Sequence, residues 1–406
     1  GQARRPGPRA ACVVGAARTP MGAFQGALAR LSAPELGAAA IRAALARSGV
    51  PAEAVQAVVM GNVLGAGLGQ APARQAALAA GLPASACCTT VNKVCASGLK
   101  AVAMARQSIA LGEADVVVAG GMESMSNCPH YLPQARGGLR LGHGAVQDGL
   151  LQDGLWDPHR DAHMGSLGER CAAAHGVGRG AQDAHALESR RRAARAHAAG
   201  LFREEIAPVE VPGTRRGSPP ALVEADEALA RADLADAERL AGMRPAFQRD
   251  GGTITAGNAS PLSDGAAALV LVSGAKAEEL GLPVLATVEA AADAEQAPEF
   301  FPIAPALAIP EALRRAGIAA GDVDCYEINE AFSAVDLINR KLLGLSDDQV
   351  NAHGGAVALG HPLGASGARI LVTLLGVLRA RGGTYGCAAI CNGGGGASAA
   401  VLRTWP

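Results

Sequence analysis

The sequence has 406 residues, 49% of them hydrophobic and 18% charged, and a formal net charge of −1. That length suits two or three packed units, and the near-neutral balance leaves no footprint for nucleic acid or an anionic membrane. Nine cysteines are scattered along the chain with no CxxC pair, so neither a disulfide framework nor a zinc motif is expected and reduced thiols are the default.

Residues 1–34 hold Arg4, Arg5, Arg9, Arg18 and Arg30 and no acidic residue. Such a stretch reads as the remnant of an organellar leader or as a plain basic tail. Leu45-Ala46-Arg47-Ser48-Gly49-Val50 closes a helical pattern and leads into the β-rich run Ala57-Val58-Val59-Met60. Next comes Val91-Asn92-Lys93-Val94-Cys95-Ala96-Ser97-Gly98-Leu99-Lys100, which sets Cys95 just ahead of small residues and an apolar helical pattern. The positive end of a helix favours thiolate and lowers a thiol pKa from about 8.5. A buried structural cysteine is an equal reading of that segment alone. Val116-Val117-Val118 then runs into Gly120-Gly121. No apolar run reaches the roughly 18 residues a membrane span needs.

Residues 128–261 have another character. They carry His130, His143, His159, His163, His175, His185 and His197, an Arg-rich run from Arg190 to Arg195, and many Gly and Pro turns. The reading is a loop-rich insertion with some helices, one over 181–199, placed where a lid or substrate-binding element would sit.

Beyond the insertion the first part recurs. Leu313-Arg314-Arg315-Ala316-Gly317-Ile318 closes a helical pattern and leads to Cys325-Tyr326-Glu327-Ile328; Ala365-Ser366-Gly367-Ala368-Arg369 repeats Ala96-Ser97-Gly98-Leu99-Lys100. The offsets are 268 and 269 residues. Ala388-Ala389-Ile390 before Gly393-Gly394 repeats the Val116 run with a small shift. Three matches in one order imply two copies of an α/β unit with buried parallel or mixed sheets. The expected organisation is a first half at 1–127, completed by about 262–283, an insertion at 128–261 and a second half at 284–406.

Three segments of the second copy bear chemistry. Asn329-Glu330-Ala331-Phe332 ends the repeat strand, and Asn329 offers a donor and an acceptor suited to fixing a water; a cap or turn is the plainer alternative. His361 lies between Gly360 and Pro362, in a tight turn that aims its ring. If a pseudo-twofold relates the halves, Cys95 and His361 face one cleft and can form an activated nucleophile pair. Cys391-Asn392-Gly393-Gly394-Gly395-Gly396 follows a strand. Its amides can point at a developing oxyanion, and Cys391 can be a second acid or base, although four glycines alone also suit a flexible turn.

Taken in order, VNKVCASG, NEAF, GHPLGASG and CNGGGG resemble the thiolase family, and Arg18-Thr19-Pro20 with Gly120-Gly121-Met122-Glu123-Ser124-Met125-Ser126 extend the resemblance over essentially the whole chain. His163-Met164-Gly165 and Thr255-Ala256-Gly257-Asn258-Ala259-Ser260 are similar to segments of the short-chain acetoacetyl-CoA members. Tyr131-Leu132-Pro133, Asp153-Gly154-Leu155-Trp156-Asp157 and Asn351-Ala352-His353-Gly354-Gly355 resemble plant or algal versions, and Phe301-Pro302-Ile303-Ala304-Pro305 the mitochondrial animal type.

The resemblance implies an α/β thiolase fold: two duplicated βαβαβαββ halves with stacked sheets in αβαβα layering, plus the inserted loop domain. It implies an acetyl-CoA C-acetyltransferase that condenses two acetyl-CoA to acetoacetyl-CoA and CoA, or runs in reverse. Cys95 would carry the acetyl group, His361 would take its proton, and Cys391 would move a proton on the second acetyl-CoA. Asn329 with His361 would make one oxyanion hole and the amides of Cys95 and Gly393 the other. His163, Met164, Arg231, Phe247, Ala256, Ser260 and Phe301 would line the CoA site. No cofactor beyond CoA as substrate is implied. Animal mitochondrial relatives hold potassium at positions that fall on Ala256, Gly257, Ala259 and Val357 here. Arg190 stands where those relatives have Tyr, so a resident cation would repel potassium, and no metal is expected. The vicinal pair Cys87-Cys88 is expected in the core, and His353 is expected to be structural. A homotetramer, or at least a dimer, and a mitochondrial location with the cytoplasm as alternative complete the expectation. The rivals are a longer-chain 3-ketoacyl-CoA thiolase of β-oxidation and a non-catalytic thiolase-like carrier of lipid or CoA; intact Cys95, His361 and Cys391 argue against the second.

Overall fold

A computed structural model of the chain describes residues 6–213, 218–230 and 236–405. The first half runs β1 (Ala11–Arg18), α1 (Ala33–Ser48), β2 (Ala57–Gly61), α2 (Pro72–Ala79), β3 (Cys87–Val91), α3 (Ser97–Leu111) and β4 (Val116–Ser124). Helix α1 starts where the Glu35 carboxylate accepts the Ser32 amide at 2.8 Å, a reciprocal cap. It stops at Gly49, which takes φ 71°, a left-handed turn cheap only for glycine. The insertion contributes α4 (Met164–Ala174) and α5 (Arg179–Ala198) among short strand pairs, so the helix expected at 181–199 starts and ends slightly earlier. Strand β5 (Ser263–Ser273) then returns to the first half.

The second copy follows as β6 (Ala286–Glu295), α6 (Pro305–Ala316), β7 (Cys325–Ile328), α7 (Ser333–Leu343), α8 (Leu363–Arg381), β8 (Tyr385–Asn392) and β9 (Gly396–Thr404). Helix α6 stops at Gly317 with φ 72°, as α1 stops at Gly49.

The strands lie in the order β7-β8-β9-β6-β1-β5-β4-β2-β3. In the first half β2 is parallel to β3 and β4, and β5 is antiparallel to β4 and β1. The second repeats this, with β7 parallel to β8 and β9 antiparallel to β8 and β6. Two departures from the expected pattern appear. The counterpart of β3 is reduced to a single bridge between Tyr326 and Val350. The two sheets are also continuous, because β1 and β6 pair at Cys12–Thr287 and Val13–Ala286.

Layering follows from side-chain alternation. On β5, Ala266, Ala268, Val270 and Val272 face the core under α1 and α2, while Ala267, Leu269 and Leu271 face α3 and α8. A strand buried on both faces is apolar on both along its central run, here Ala266 to Val272. Helix α6 covers the far side of the second half through Ile309 and Leu313. Layer by layer the fold reads αβαβα, with α3 and α8 in the middle. Helix α8 is long and apolar enough to cross a membrane by length and composition, yet it is the buried central helix. Arg369 and several glycines interrupt its apolar run, which is why the sequence shows no continuous stretch of membrane-span length.

α3 and α8 cross at near contact. A Cβ at Gly98 would lie 2.7 Å from the Ala368 amide nitrogen, and one at Gly367 would strike the Leu99 amide. Only glycine permits this approach, and it brings the starts of the two helices together.

Elsewhere the structure corrects the sequence reading. Cys87 is exposed on β3 and only Cys88 packs inward against the α1–α2 core, because β3 is an edge strand with a solvent face. Arg4 and Arg5 lie outside the described residues, whereas the other basic residues of that stretch are held by the folded body. Arg9 pairs with Asp115 at 2.8 Å, Arg30 donates to the Pro212 carbonyl, and Arg18 is fully buried. Its guanidinium meets Glu205 at 2.7 Å and Asp226 at 2.6 Å, which ties the insertion to β1. His353 is buried edge-on to Phe202, in keeping with a structural place.

Candidate active site

Cys95 sits in the turn between β3 and α3. The residue before it, Val94, has φ 46°, a strained conformation for a β-branched side chain. Asn92 Oδ1 accepts the Val94 amide at 2.9 Å, and the Ser97 hydroxyl donates to the Val94 carbonyl at 2.6 Å. The strain turns the thiol out of the strand direction into a cavity of about 630 Å³.

His361, Cys391 and Gly393 line the same cavity. His361 ends the turn before α8, and Cys391 and Gly393 end β8, so the first half supplies one group and the second half three. His163, Met164, Phe247, Ala256, Ser260 and Phe301 also border it, as expected. Rings of His163 and Phe247 stack at 4.6 Å between centroids. Arg231 lies outside the described residues. Asn329 does not reach the cavity wall; it is buried behind His361, with Nδ2 3.5 Å from Nε2.

Burial pushes the Cys95 thiol up to about 12, while the amides of Gly393 and of Cys95 itself pull it back. The expected lowering by the helix start is therefore present in direction but outweighed by desolvation. Cys391 is raised well above its ordinary value by burial and then by its neighbour Cys95. His361 is lowered to about 3, first by burial and then by the Arg369 guanidinium. Its ring is therefore neutral near pH 7. The Ser366 hydroxyl donates to the Pro362 carbonyl at 2.8 Å and so accepts from His361 Nδ1 at 2.6 Å. That leaves the Nε2 lone pair as the free base. A thiol that resists ionisation beside a neutral imidazole can act only if its proton is taken as it attacks.

Residues that sequence reasoning missed complete the site. Glu123 accepts the amides of Val63 at 3.0 Å, Leu64 at 3.1 Å and Gly364 at 2.8 Å, joining a loop of the first half to the start of α8. It stood in view as part of GGMESMS, but nothing in that spacing says what it clamps. Met125, Leu150, Leu155 and Leu363 make the inner wall apolar; Leu150 and Leu155 fall in a helical turn too short to show a periodicity.

A potassium site does not fit these residues. The Gly257 carbonyl accepts the Arg190 guanidinium at 2.7 Å, so a cation already occupies that corner. Among the described residues, no group of three or more His, Cys, Asp or Glu side chains could hold a metal.

Comparison with known proteins agrees with this picture. The chain matches the family described as Thiolase, N-terminal domain, over residues 11–275, and Thiolase, C-terminal domain, over 282–404. It is 61% identical to Acetyl-CoA acetyltransferase 1 of Arabidopsis thaliana over 98% of this chain and 94% of that protein. Against a cytosolic acetyl-CoA acetyltransferase of Gibberella zeae the identity is 54%, over 96% of this chain and 97% of the relative. Among solved structures, the Acat5 thiolase from Ascaris suum in complex with coenzyme A superposes with a TM-score of 0.91 at 42% identity, covering 97% of this chain and all of that one. With both family domains matched in order around a shared Cys–His–Cys cavity, the chain belongs to the thiolase family.

Proposed function

We propose that the chain is an acetyl-CoA C-acetyltransferase working by a ping-pong mechanism. The observation that carries the reading is that Cys95, His361, Cys391 and the Gly393 amide meet in one largely apolar cavity. The relatives' names and the CoA-bound relative support the substrate.

In the first half-reaction Cys95 sulfur attacks the thioester carbonyl of acetyl-CoA as His361 Nε2 takes the thiol proton. The amides of Cys95 and Gly393 receive the negative charge on the carbonyl oxygen. CoA leaves with the proton from His361, and acetyl-Cys95 remains. In the second, His361 Nε2, free again once CoA has left, draws off the Cys391 proton, and the thiolate so formed removes a proton from the methyl of another acetyl-CoA. Its raised pKa makes that thiolate a stronger base. The carbanion attacks acetyl-Cys95, acetoacetyl-CoA forms, and Cys95 leaves as thiolate and takes back the proton held by His361. Asn329 beside His361 steadies the enolate oxygen through a water. His163, Met164 and Phe247 shape the CoA channel. Arg190 replaces the monovalent cation, so activity needs no potassium. A homotetramer and a mitochondrial location, with the cytoplasm as alternative, complete the proposal.

The test is intact-protein mass after mixing with acetyl-CoA, then peptide mapping, alongside acetoacetyl-CoA cleavage. An acetyl adduct on Cys95 with rapid cleavage is expected. No adduct on folded protein would favour a non-catalytic carrier, and cleavage only of longer ketoacyl-CoA would favour the β-oxidation enzyme.

A further inference from the structure

Glu330 follows Asn329 and is fully buried. One carboxylate oxygen accepts the Ser189 hydroxyl at 2.8 Å and the Val357 amide at 3.0 Å. The other meets His185 Nε2 at 3.0 Å and Asn351 Nδ2 at 3.2 Å. The second ring nitrogen of His185 lies 3.4 Å from Asp336. An imidazole set between two carboxylates can meet both with a donor on each nitrogen when it is the imidazolium. Arg340 lies 3.2 Å from Asp336 and 2.7 Å from Asp347, which Arg192 also meets, so the buried carboxylates continue into an ion-pair network toward the surface. The helical turn Ala356–Leu359 packed beside α5 adds no titratable side chain.

This cluster reaches both backbone segments behind the site. Ser189 also accepts the Gly355 amide at 3.0 Å, six residues before His361. A Cβ at Gly355 would collide with the Glu330 carboxylate. Asn351 brackets Ile328, accepting its amide at 3.0 Å and donating to its carbonyl at 2.9 Å, directly before Asn329. Yet no residue of α5 borders the cavity.

We propose that His185 is a positioning residue, which with Ser189 holds Glu330 and thereby fixes the segments carrying Asn329 and His361. The insertion thus sets the catalytic backbone from behind, besides facing the substrate from in front. The proposal rests on the roles given above to Asn329 and His361.

The experiment uses the full chain with His185→Gln, which keeps a hydrogen bond and loses the charge. Acetoacetyl-CoA cleavage is followed as kcat and KM, with the extent of acetyl-Cys95 read by mass. A kcat lower by about tenfold or more is expected, with KM within about twofold and Cys95 still acetylated. An unchanged kcat, or a loss confined to KM, would overturn the proposal. Should His185→Gln fail to fold, His185→Gln with Asp336→Asn removes one charge of each sign. Full kcat in that folded double variant would overturn the proposal, and a persistent loss at unchanged KM supports it. A parent chain that never acetylates Cys95 would instead overturn the function reading.

Discussion

His361 Nδ1 and the Ser366 hydroxyl stand 2.6 Å apart, and that hydroxyl gives its own proton to the Pro362 carbonyl at 2.8 Å. The serine therefore selects the tautomer that leaves the Nε2 lone pair free, on a ring that lines the same cavity as the Cys95 thiol. Ser366→Ala leaves a buried N–H without a partner and costs about 1–3 kcal/mol. Acetylation of Cys95 should slow by about tenfold or more, measured by quenched-flow mass spectrometry. An unaltered rate would show that Ser366 does not set the ring.

The proposed mechanism gives the two cysteines separable tasks. Cys95→Ala should abolish cleavage, condensation and all acyl-enzyme; acylation retained elsewhere would sink the nucleophile assignment. Cys391→Ala should still acetylate at Cys95 yet lose condensation by about 10²-fold or more. A variant that still condenses would show that another base exists.

Acid should destabilise the protein partly through His361. Its folded pKa, about 3, lies below the unfolded value of about 6.5. Stability from this neutral buried ring is full above about pH 6.5 and is lost as pH falls toward 3, with a slope of at most about 1.4 kcal/mol per pH unit. Urea midpoints of the parent and of His361→Asn, compared at about pH 7 and pH 5, should show a larger acid loss in the parent. Equal losses would mean that the ring is not held neutral.

Gly98 is the contact on which the helix crossing turns. Gly98→Ala places a methyl 2.7 Å from the Ala368 amide nitrogen, so α3 and α8 must separate. Overpacking of this kind costs about 1–3 kcal/mol, and activity should fall more steeply, because a shift of about 1 Å between Cys95 and His361 is worth about 10²-fold. Thermal midpoint and kcat read together decide this; a loss of stability with kcat intact would mean that the crossing does not govern the pair.

Val94 stores strain at φ 46°. Val94→Asn, a residue that adopts this conformation at lower cost, should hold or raise the stability read from urea unfolding by up to about 1 kcal/mol. A clear destabilisation would mean that the packing of Val94 beside Gly393 matters more than its backbone.

Much of this architecture was legible in the sequence because it is built twice. The matched runs at Gly49 and Gly317 mark the helix ends that the structure shows, and Cys95, His361 and Cys391 were visible because each sits at a repeated strand or helix boundary. What stayed hidden lacks local signature. Glu123 gathers amides from segments about 60 and 240 residues away. His185 looked like one more loop-domain histidine, since its meaning comes only from two carboxylates on another element. The exposure of Cys87 depends on β3 being a sheet edge, and β3 and a buried strand have similar composition. The thiol pKa was misjudged because a helix terminus can be read from spacing and desolvation cannot.

The glycine contact between α3 and α8 also has a meaning for how such a chain divides its labour. Duplication sets two equivalent sockets face to face, and here they have been furnished differently: Cys95 in one, His361 and Cys391 in the other. The protein is in that sense a heterodimer written as a single chain. A severed first half would keep a sulfur with nothing to take its proton, and a severed second half a base with no acyl acceptor. Neither fragment would hold both members of the pair, so the chemistry depends on the two helix starts staying together.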